Sequence, residues 1–163
     1  MLVNLKDIFV GGAPIAIEYE MDLSQEEVPG GGFPFPEPVR VSGRIENRAG
    51  VVLLHAAVQA VRHTVCDRCL APTRQPMHVA FENVLVTESQ GDDSDELLVC
   101  SEQTLDMDAL AKTNLLLALP MKELCRPDCK GICPQCGKNL NEGPCGCKPQ
   151  GHPAFLKLRE FLQ

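Results

Sequence analysis

Val39, Val41, Gly43 and Ile45 alternate with Arg40, Ser42, Arg44 and Glu46. A period of two sends successive side chains to opposite faces, so this segment is expected to be a strand with one dry and one wet side. Asn47-Arg48-Ala49-Gly50 reads as a turn. The valine- and alanine-rich run from Val51 to Val65 supplies a second, longer strand. Gln75 to Thr87 supplies a third, with Met77, Val79, Phe81 and Leu85 as its inward positions. The three form a β-meander, and Cys66 to Arg74 joins its second and third strands. Ahead of it, Leu2 to Leu23 mixes β-branched and apolar residues around Gly11, Gly12 and Pro14, the pattern of two short strands and a turn.

The one strong helical signal begins near Asp106 and spans about 106–119. Asp106 is placed to cap the first turn, Asp108 adds negative charge at the positive end of the dipole, and Leu105 with Leu110 has the spacing of a hydrophobic staple. Pro120 ends the helix, and Leu110 and Leu117 are expected to bury against the sheet. A second short helix is expected from Pro153, with an apolar stripe of Phe155, Leu158 and Leu162.

Two segments break the pattern. Ser24 to Pro38 holds Gly30, Gly31, Gly32 and four prolines, which remove ladder donors and favour extended or mobile backbone. Phe33 and Phe35 within it either pin the segment to the body or await a partner. Glu88 to Glu96 carries five acids and reads as a solvated loop. The fold class is therefore α+β. It is an antiparallel β-meander or partial barrel with one central helix, a C-terminal module whose Cys125, Cys129, Cys133, Cys136, Cys145 and Cys147 read as a zinc knuckle, and a short terminal helix. In domain terms, residues 1–120 form the β-rich body and 121–163 the cysteine-rich module with its helix.

A length of 163 residues, 44% apolar and 23% charged, fits one compact body or a body with a small appendage. The net charge of -7 argues against a histone-like polyanion binder. Its distribution is uneven: residues 40–78 carry six arginines against Glu46 and Asp67, whereas 88–108 carry eight acids and no base. No apolar stretch is long enough to span a bilayer and no signal or transit segment is visible, so a cytoplasmic protein without a membrane role is expected.

Nine cysteines change the picture. Cys125, Cys129, Cys133, Cys136, Cys145 and Cys147 follow one another as C-x3-C-x3-C-x2-C-x8-C-x-C, and Cys66 with Cys69 adds C-x2-C. Eight thiols divide into two four-ligand sites, and zinc suits them as a tetrahedral ion with soft ligands and no redox chemistry. Asn139 to Pro144 can form the hairpin that brings Cys133 and Cys136 to Cys145 and Cys147; Cys66 and Cys69 then pair with Cys125 and Cys129. Cys100 lies outside any paired spacing and is expected in the core. Three sharper chemistries use the same residues. Cys129, Cys133 and Cys136 have the C-x3-C-x2-C spacing of radical S-adenosylmethionine enzymes, which need a much larger barrel. Cys66 and Cys69 have the spacing of a thioredoxin-type pair, which belongs at a helix N-terminus. A catalytic zinc would need an open position and a base such as His63 or His78. No catalytic residue is expected.

Cys66-Asp67-Arg68-Cys69-Leu70, Leu116-Leu117-Ala118-Leu119-Pro120, Cys125-x3-Cys129-Lys130-Gly131-Ile132-Cys133-Pro134-Gln135-Cys136-Gly137, Asn139-Leu140-Asn141 and Cys145-x-Cys147 together resemble the YceD family, the large ribosomal RNA subunit accumulation proteins. The resemblance covers about residues 39 to 163. It departs before the final helix, where His152-Pro153-Ala154 stands in place of an acidic residue, proline and arginine. It implies a non-enzymatic factor for large-subunit biogenesis that supports accumulation or processing of 23S ribosomal RNA. Its partners would be ribosomal RNA or a pre-large-subunit particle, or a large-subunit ribosomal protein. For phosphate contact the basic candidates are Arg40, Arg44, Arg62, Arg68, Arg74, Lys130, Lys138 and Lys148. The competing reading is a zinc-stabilised protein-interaction module that never touches RNA.

Overall fold

The computed structural model describes residues 1–28, 31–88 and 97–147. The acidic segment 89–96, Lys148 and the helix expected from Pro153 lie outside the described residues. In chain order the elements are β1 (Leu2–Asn4), α1 (Lys6–Phe9), β2 (Ile15–Met21), β3 (Val39–Arg48), β4 (Val51–Val65), β5 (Pro72–Val86), β6 (Leu97–Val99), β7 (Thr104–Asp106) and α2 (Met107–Leu117). The main sheet runs β2-β3-β4-β5-β6, and β1 pairs with β7 in a separate two-stranded sheet.

The meander is present and extends by one strand, because β2 pairs antiparallel with β3 across the Gly/Pro segment. β5 starts earlier than its sequence suggests, at Pro72, opposite Val65. Three features depart from expectation. The last strand, β6, runs parallel to β5 in an otherwise antiparallel, open sheet. The N-terminal segment contains a single helical turn between its two strands, since Ile8 is drawn into the core and the Gly11 and Gly12 amides bond back to Ile8 and Asp7. Leu117 is 80% exposed. The face of α2 that is buried is Met107, Ala111 and Leu115 at a spacing of four, and Leu117 lies about 200° around the helix from Leu115. Leu110 packs partly buried against the core, and Asp106 caps the helix by accepting from the Asp108 and Ala109 amides at 3.1 and 3.3 Å.

Val52, Leu54, Ala56, Val58 and Ala60 of β4 point inward, join Val39, Val41 and Ile45 of β3, and are covered by α2, Leu5, Ile8 and Phe35. Burying each large aliphatic side chain contributes about 1.5–3 kcal/mol. Met77, Val79 and Phe81 line the margin of this core and Leu85 is fully inside, as their alternation predicts. Phe35 is completely buried while Phe33 stays exposed, so one aromatic pins the Gly/Pro segment. Glu37 adds a second tie from that segment, accepting from Arg74 at 3.0 Å and meeting His63 Nε2 at 2.8 Å. Cys100 is buried in the core, where desolvation raises its thiol pKa.

The β3–β4 turn is only two residues long. Arg48 pairs with Val51, and Ala49 and Gly50 have φ of 53° and 91°. Positive φ at both positions is the mark of a type I′ hairpin, where asparagine or aspartate is favoured before glycine. Ala49→Asn is expected to stabilise the chain by about 0.5–1 kcal/mol, read as a higher urea midpoint with an unchanged slope.

Candidate metal centres

Two groups of four thiols form, Cys66, Cys69, Cys125 and Cys129 in one and Cys133, Cys136, Cys145 and Cys147 in the other. Within each group all sulfurs lie within 4.8 Å of one another. In the first, Cys66 Sγ is 3.8 Å from Cys129 Sγ and Cys69 Sγ is 3.6 Å from Cys125 Sγ. A metal–sulfur bond of about 2.3 Å in a tetrahedron gives sulfur–sulfur edges of about 3.8 Å. The spacing thus fits a tetrahedral ion with four soft ligands. Both groups are made of thiols alone, and the triplet Cys129, Cys133 and Cys136 is split between them.

Each centre is assembled from turns. Cys66 and Cys69 sit on the tip between β4 and β5, where the Cys66 amide donates to Ala71 O at 2.8 Å and the Leu70 amide to Cys66 O at 2.9 Å. The incoming chain is docked on that tip by reciprocal bonds, Asp67 N to Glu123 O at 2.8 Å and Glu123 N to Asp67 Oδ2 at 2.6 Å. Further along, the Ile132 amide donates to Arg68 O at 3.1 Å, and Gly131 approaches so closely that a Cβ there would lie 3.0 Å from the same oxygen. The second centre is a small hairpin. Cys133 N donates to Lys138 O at 2.8 Å and Gly137 N to Cys133 O at 2.9 Å.

Backbone donors aimed at sulfur set the electrostatics. The Cys125 amide, with those of Cys69 and Arg68, lowers the Cys66 pKa to about 6 against the opposing effect of burial. Amides of Cys136 and Gln135 do the same for Cys133, also to about 6. The last thiols to ionise are held high, both at about 12: Cys125 by desolvation and the neighbouring sulfurs, Cys147 by its bond to Cys136 and by desolvation. Four adjacent thiolates repel one another, and a bound divalent cation removes that repulsion. The first centre is the more enclosed, with Cys66, Cys69 and Cys129 buried, whereas only Cys133 is buried in the second.

Two contributors carry no metal-ligand signature. Asn141 donates from Nδ2 to Cys129 Sγ at 3.3 Å, while its Oδ1 accepts from Lys130 N at 2.8 Å and Arg126 Nη2 at 2.7 Å. It thereby ties the second hairpin to the first centre, and its bond to the Cys129 sulfur orients that side chain. The other is Glu123, two residues before Cys125, which forms a buried ion pair with Arg62; Arg62 is only 4% exposed. Gln75 supports the same junction by donating to Leu124 O at 3.0 Å.

The basic residues singled out from the sequence divide. Arg40, Arg44 and Arg74 project from the outer face of the main sheet, opposite α2, beside exposed Gln59, His63 and His78. Each has an acid nearby: Glu20 at 3.6 Å from Arg40, Glu46 at 3.4 Å from Arg44, and Glu37 for Arg74. Arg62 is a correction. It occupies an inward position of β4, in the series Val52 to Ala60, and its guanidinium is held by Glu123 and Gln75, out of reach of a phosphate. Arg68 donates to Cys129 O at 2.7 Å and Lys138 to Pro144 O at 3.1 Å, whereas Lys130 is exposed.

Residues 54–162, which contain all eight thiols of the two centres, match the family described as Large ribosomal RNA subunit accumulation protein YceD. The chain belongs to the YceD family. An uncharacterized protein of Mycobacterium tuberculosis is 33% identical over 123 residues, 73% of this chain and 59% of the relative. A maize protein named Large ribosomal RNA subunit accumulation protein YCED homolog 1, chloroplastic, is 26% identical over 155 residues, 75% of this chain and 53% of the relative. YlbN, an uncharacterized protein of Bacillus subtilis, is 26% identical over 104 residues, 63% of this chain and 60% of that protein. The chain thus spans little more than half the length of these YceD-like relatives. No solved structure matches it. Among the described residues no helix is long and apolar enough to cross a membrane.

Proposed function

We propose that this chain is a non-enzymatic factor of large ribosomal subunit biogenesis that supports accumulation of 23S ribosomal RNA in the cytoplasm, stabilised by two structural zinc ions. The observation that carries it is the family match over residues 54–162, which includes both tetrads. All-thiolate, four-ligand centres built from turns are structural rather than catalytic in character, since a catalytic zinc keeps an open position. The body and the cysteine-rich segment after it then work as one piece, clamped at the first centre.

In this reading the RNA contact is made by the outer sheet face, through Arg40, Arg44 and Arg74, with Arg68, Lys130 and Lys138 near the zinc centres and Lys148 following Cys147 in sequence. Shape and phosphate contacts dominate recognition of folded RNA. Changing Arg40, Arg44 and Arg74 together to Glu is expected to abolish binding to ribosomal RNA while zinc content persists and the melting temperature falls modestly, since each arginine also loses an exposed ion pair. A milder change of the three to Gln should flatten the salt dependence of binding, reducing its log–log slope by about 2. Binding that is unchanged and insensitive to salt overturns the contact. Gradient sedimentation of tagged protein from growing cells tests the role itself: co-migration with immature large subunits supports it, a purely free pool opposes it.

A second reading has its own observation. The acids beside Arg40, Arg44 and Arg74 already offset those charges, which suits a module that binds a ribosomal protein or assembly factor without RNA contact. Association that survives nuclease treatment of a pulldown selects this reading; association that collapses selects the first.

A further inference from the structure

Lys130, Gly131 and Ile132 link Cys129, in the first centre, to Cys133, in the second. That link is gripped from both sides. The Ile132 amide donates to Arg68 O on the β4–β5 tip at 3.1 Å, and Gly131 O accepts from the Leu140 amide of the second hairpin at 2.9 Å. Asn141 reaches across it, and its carboxamide is fully engaged. Nδ2 donates to Cys129 Sγ at 3.3 Å and to Asn139 Oδ1 at 2.8 Å, while Oδ1 accepts from Lys130 N at 2.8 Å and from Arg126 Nη2 at 2.7 Å. A primary amide offers two donor hydrogens and two acceptor lone pairs, so these four bonds use all of them and fix which end faces the sulfur. The hairpin that carries Asn141 has no apolar core, for none of residues 134–147 is buried. A hairpin that small keeps one shape only when it is tied, and the thiols of Cys133, Cys136, Cys145 and Cys147 bracket the turn on which Asn141 lies. The acceptor end of the bond depends on the other centre. A metal ligand must be deprotonated, and a Cys129 thiolate accepts a stronger hydrogen bond than a neutral thiol.

We propose that Asn141 couples the two metal centres, so that an ion in either one strengthens binding in the other. One ion shapes the turn that carries the donor; the other holds the acceptor in place as a thiolate. A bond that is strongest when both are present is a coupling free energy, and it acts equally in both directions. Asn141 is thus a positioning residue and not a ligand. The coupling rests on the reading of both tetrads as zinc centres. It leaves their number unchanged, since each centre still loads alone under excess zinc, only more weakly. Loss of an outer hydrogen-bond partner of a metal ligand typically lowers metal affinity about 10–100-fold, which sets the size of the expected effect.

The test is competition for zinc between the full chain and a chromophoric chelator, read at the second centre, whose more exposed thiols release their ion first. Wild type is compared with Cys66→Ser, which disables the first centre, with Asn141→Ala and Asn141→Ser, and with Cys66→Ser combined with Asn141→Ala. Serine is too short to span from Cys129 to Lys130, so it should behave as alanine does. Second-centre affinity is expected to be about 10–100-fold lower in Cys66→Ser and in both Asn141 variants, and to fall no further in the combined variant. Under excess zinc the Asn141 variants should still hold two equivalents. Equal affinity in wild type and Cys66→Ser overturns the coupling, as does wild-type affinity in the Asn141 variants. A further fall in the combined variant, or an Asn141 variant limited to one equivalent, overturns it too, because Asn141 would then serve the second hairpin alone. A wild-type chain that binds fewer than two equivalents overturns the zinc reading itself and the coupling with it.

Discussion

Cys66→Ser is expected to lower bound zinc from two equivalents to one and to leave the Cys133 centre loaded. The loss should be large in its effect on stability, because structural zinc contributes roughly 10 kcal/mol of metal-dependent folding energy near neutral pH. It should also be local. The main core of Val52, Leu54, Val58 and α2 is a cluster separate from Cys66, Cys69 and Cys129, so the sheet is expected to persist while the tip and the segment after Glu123 come apart. Metal analysis and hydrogen exchange read the two effects separately. Cys136→Ser should do the reverse, sparing the first centre. A chelator should strip the second centre first, since Cys136 is exposed and Cys145 and Cys147 are half-buried. Loss of both equivalents from either single substitution, or of neither, would falsify the division into independent sites.

Arg62→Ala is the second large effect. It leaves the Glu123 carboxylate beside a buried, unpaired site, and breaking a buried ion pair from one side costs about 3–5 kcal/mol. Exchanging both partners for apolar residues, Arg62→Met with Glu123→Leu, is expected to recover most of that loss, because the penalty belongs to the orphaned charge rather than to the absent pair. Glu123 also positions Cys125 through its bonds to Asp67, so Arg62→Ala should weaken zinc retention at the first centre while the second is unaffected. Urea midpoints for the two single variants and the double variant, with metal content measured alongside, decide it. A cost below about 1 kcal/mol for Arg62→Ala would show that the pair is not the junction it is taken to be.

The candidate metal ligands were the most legible part of the molecule. Cys66 with Cys69 and Cys133 with Cys136 declare themselves because one short turn must present two sulfurs to one ion, and that need is local in sequence. The strands were legible for the same reason, since a period of two is a short-range property. Arg62 shows both the reach and the limit of such reading. Its place in the series Val52, Leu54, Ala56, Val58, Ala60 puts it on the inward face, yet a count of arginines over residues 40–78 groups it with side chains that face solvent. What makes an inward arginine tolerable is Glu123, 61 residues away, and no local pattern announces that partner. Asn141 is similar. Its side chain serves Cys129, Lys130 and Arg126 at once, a role created by the approach of two turns.

The sequence by itself determined that eight cysteines are spaced as candidate metal ligands, that β3, β4, β5 and α2 form, and that Cys100 belongs to the core. Each of these follows from spacing, period or burial preference, which act over a few residues. Tertiary structure alone decided that β6 runs parallel to β5, that Leu117 faces solvent while Leu115 does not, that Arg62 is locked to Glu123, and that Cys66 and Cys69 meet Cys125 and Cys129. Those outcomes depend on which distant surfaces meet, and on the long-range ion pair, metal and packing energies that hold them together.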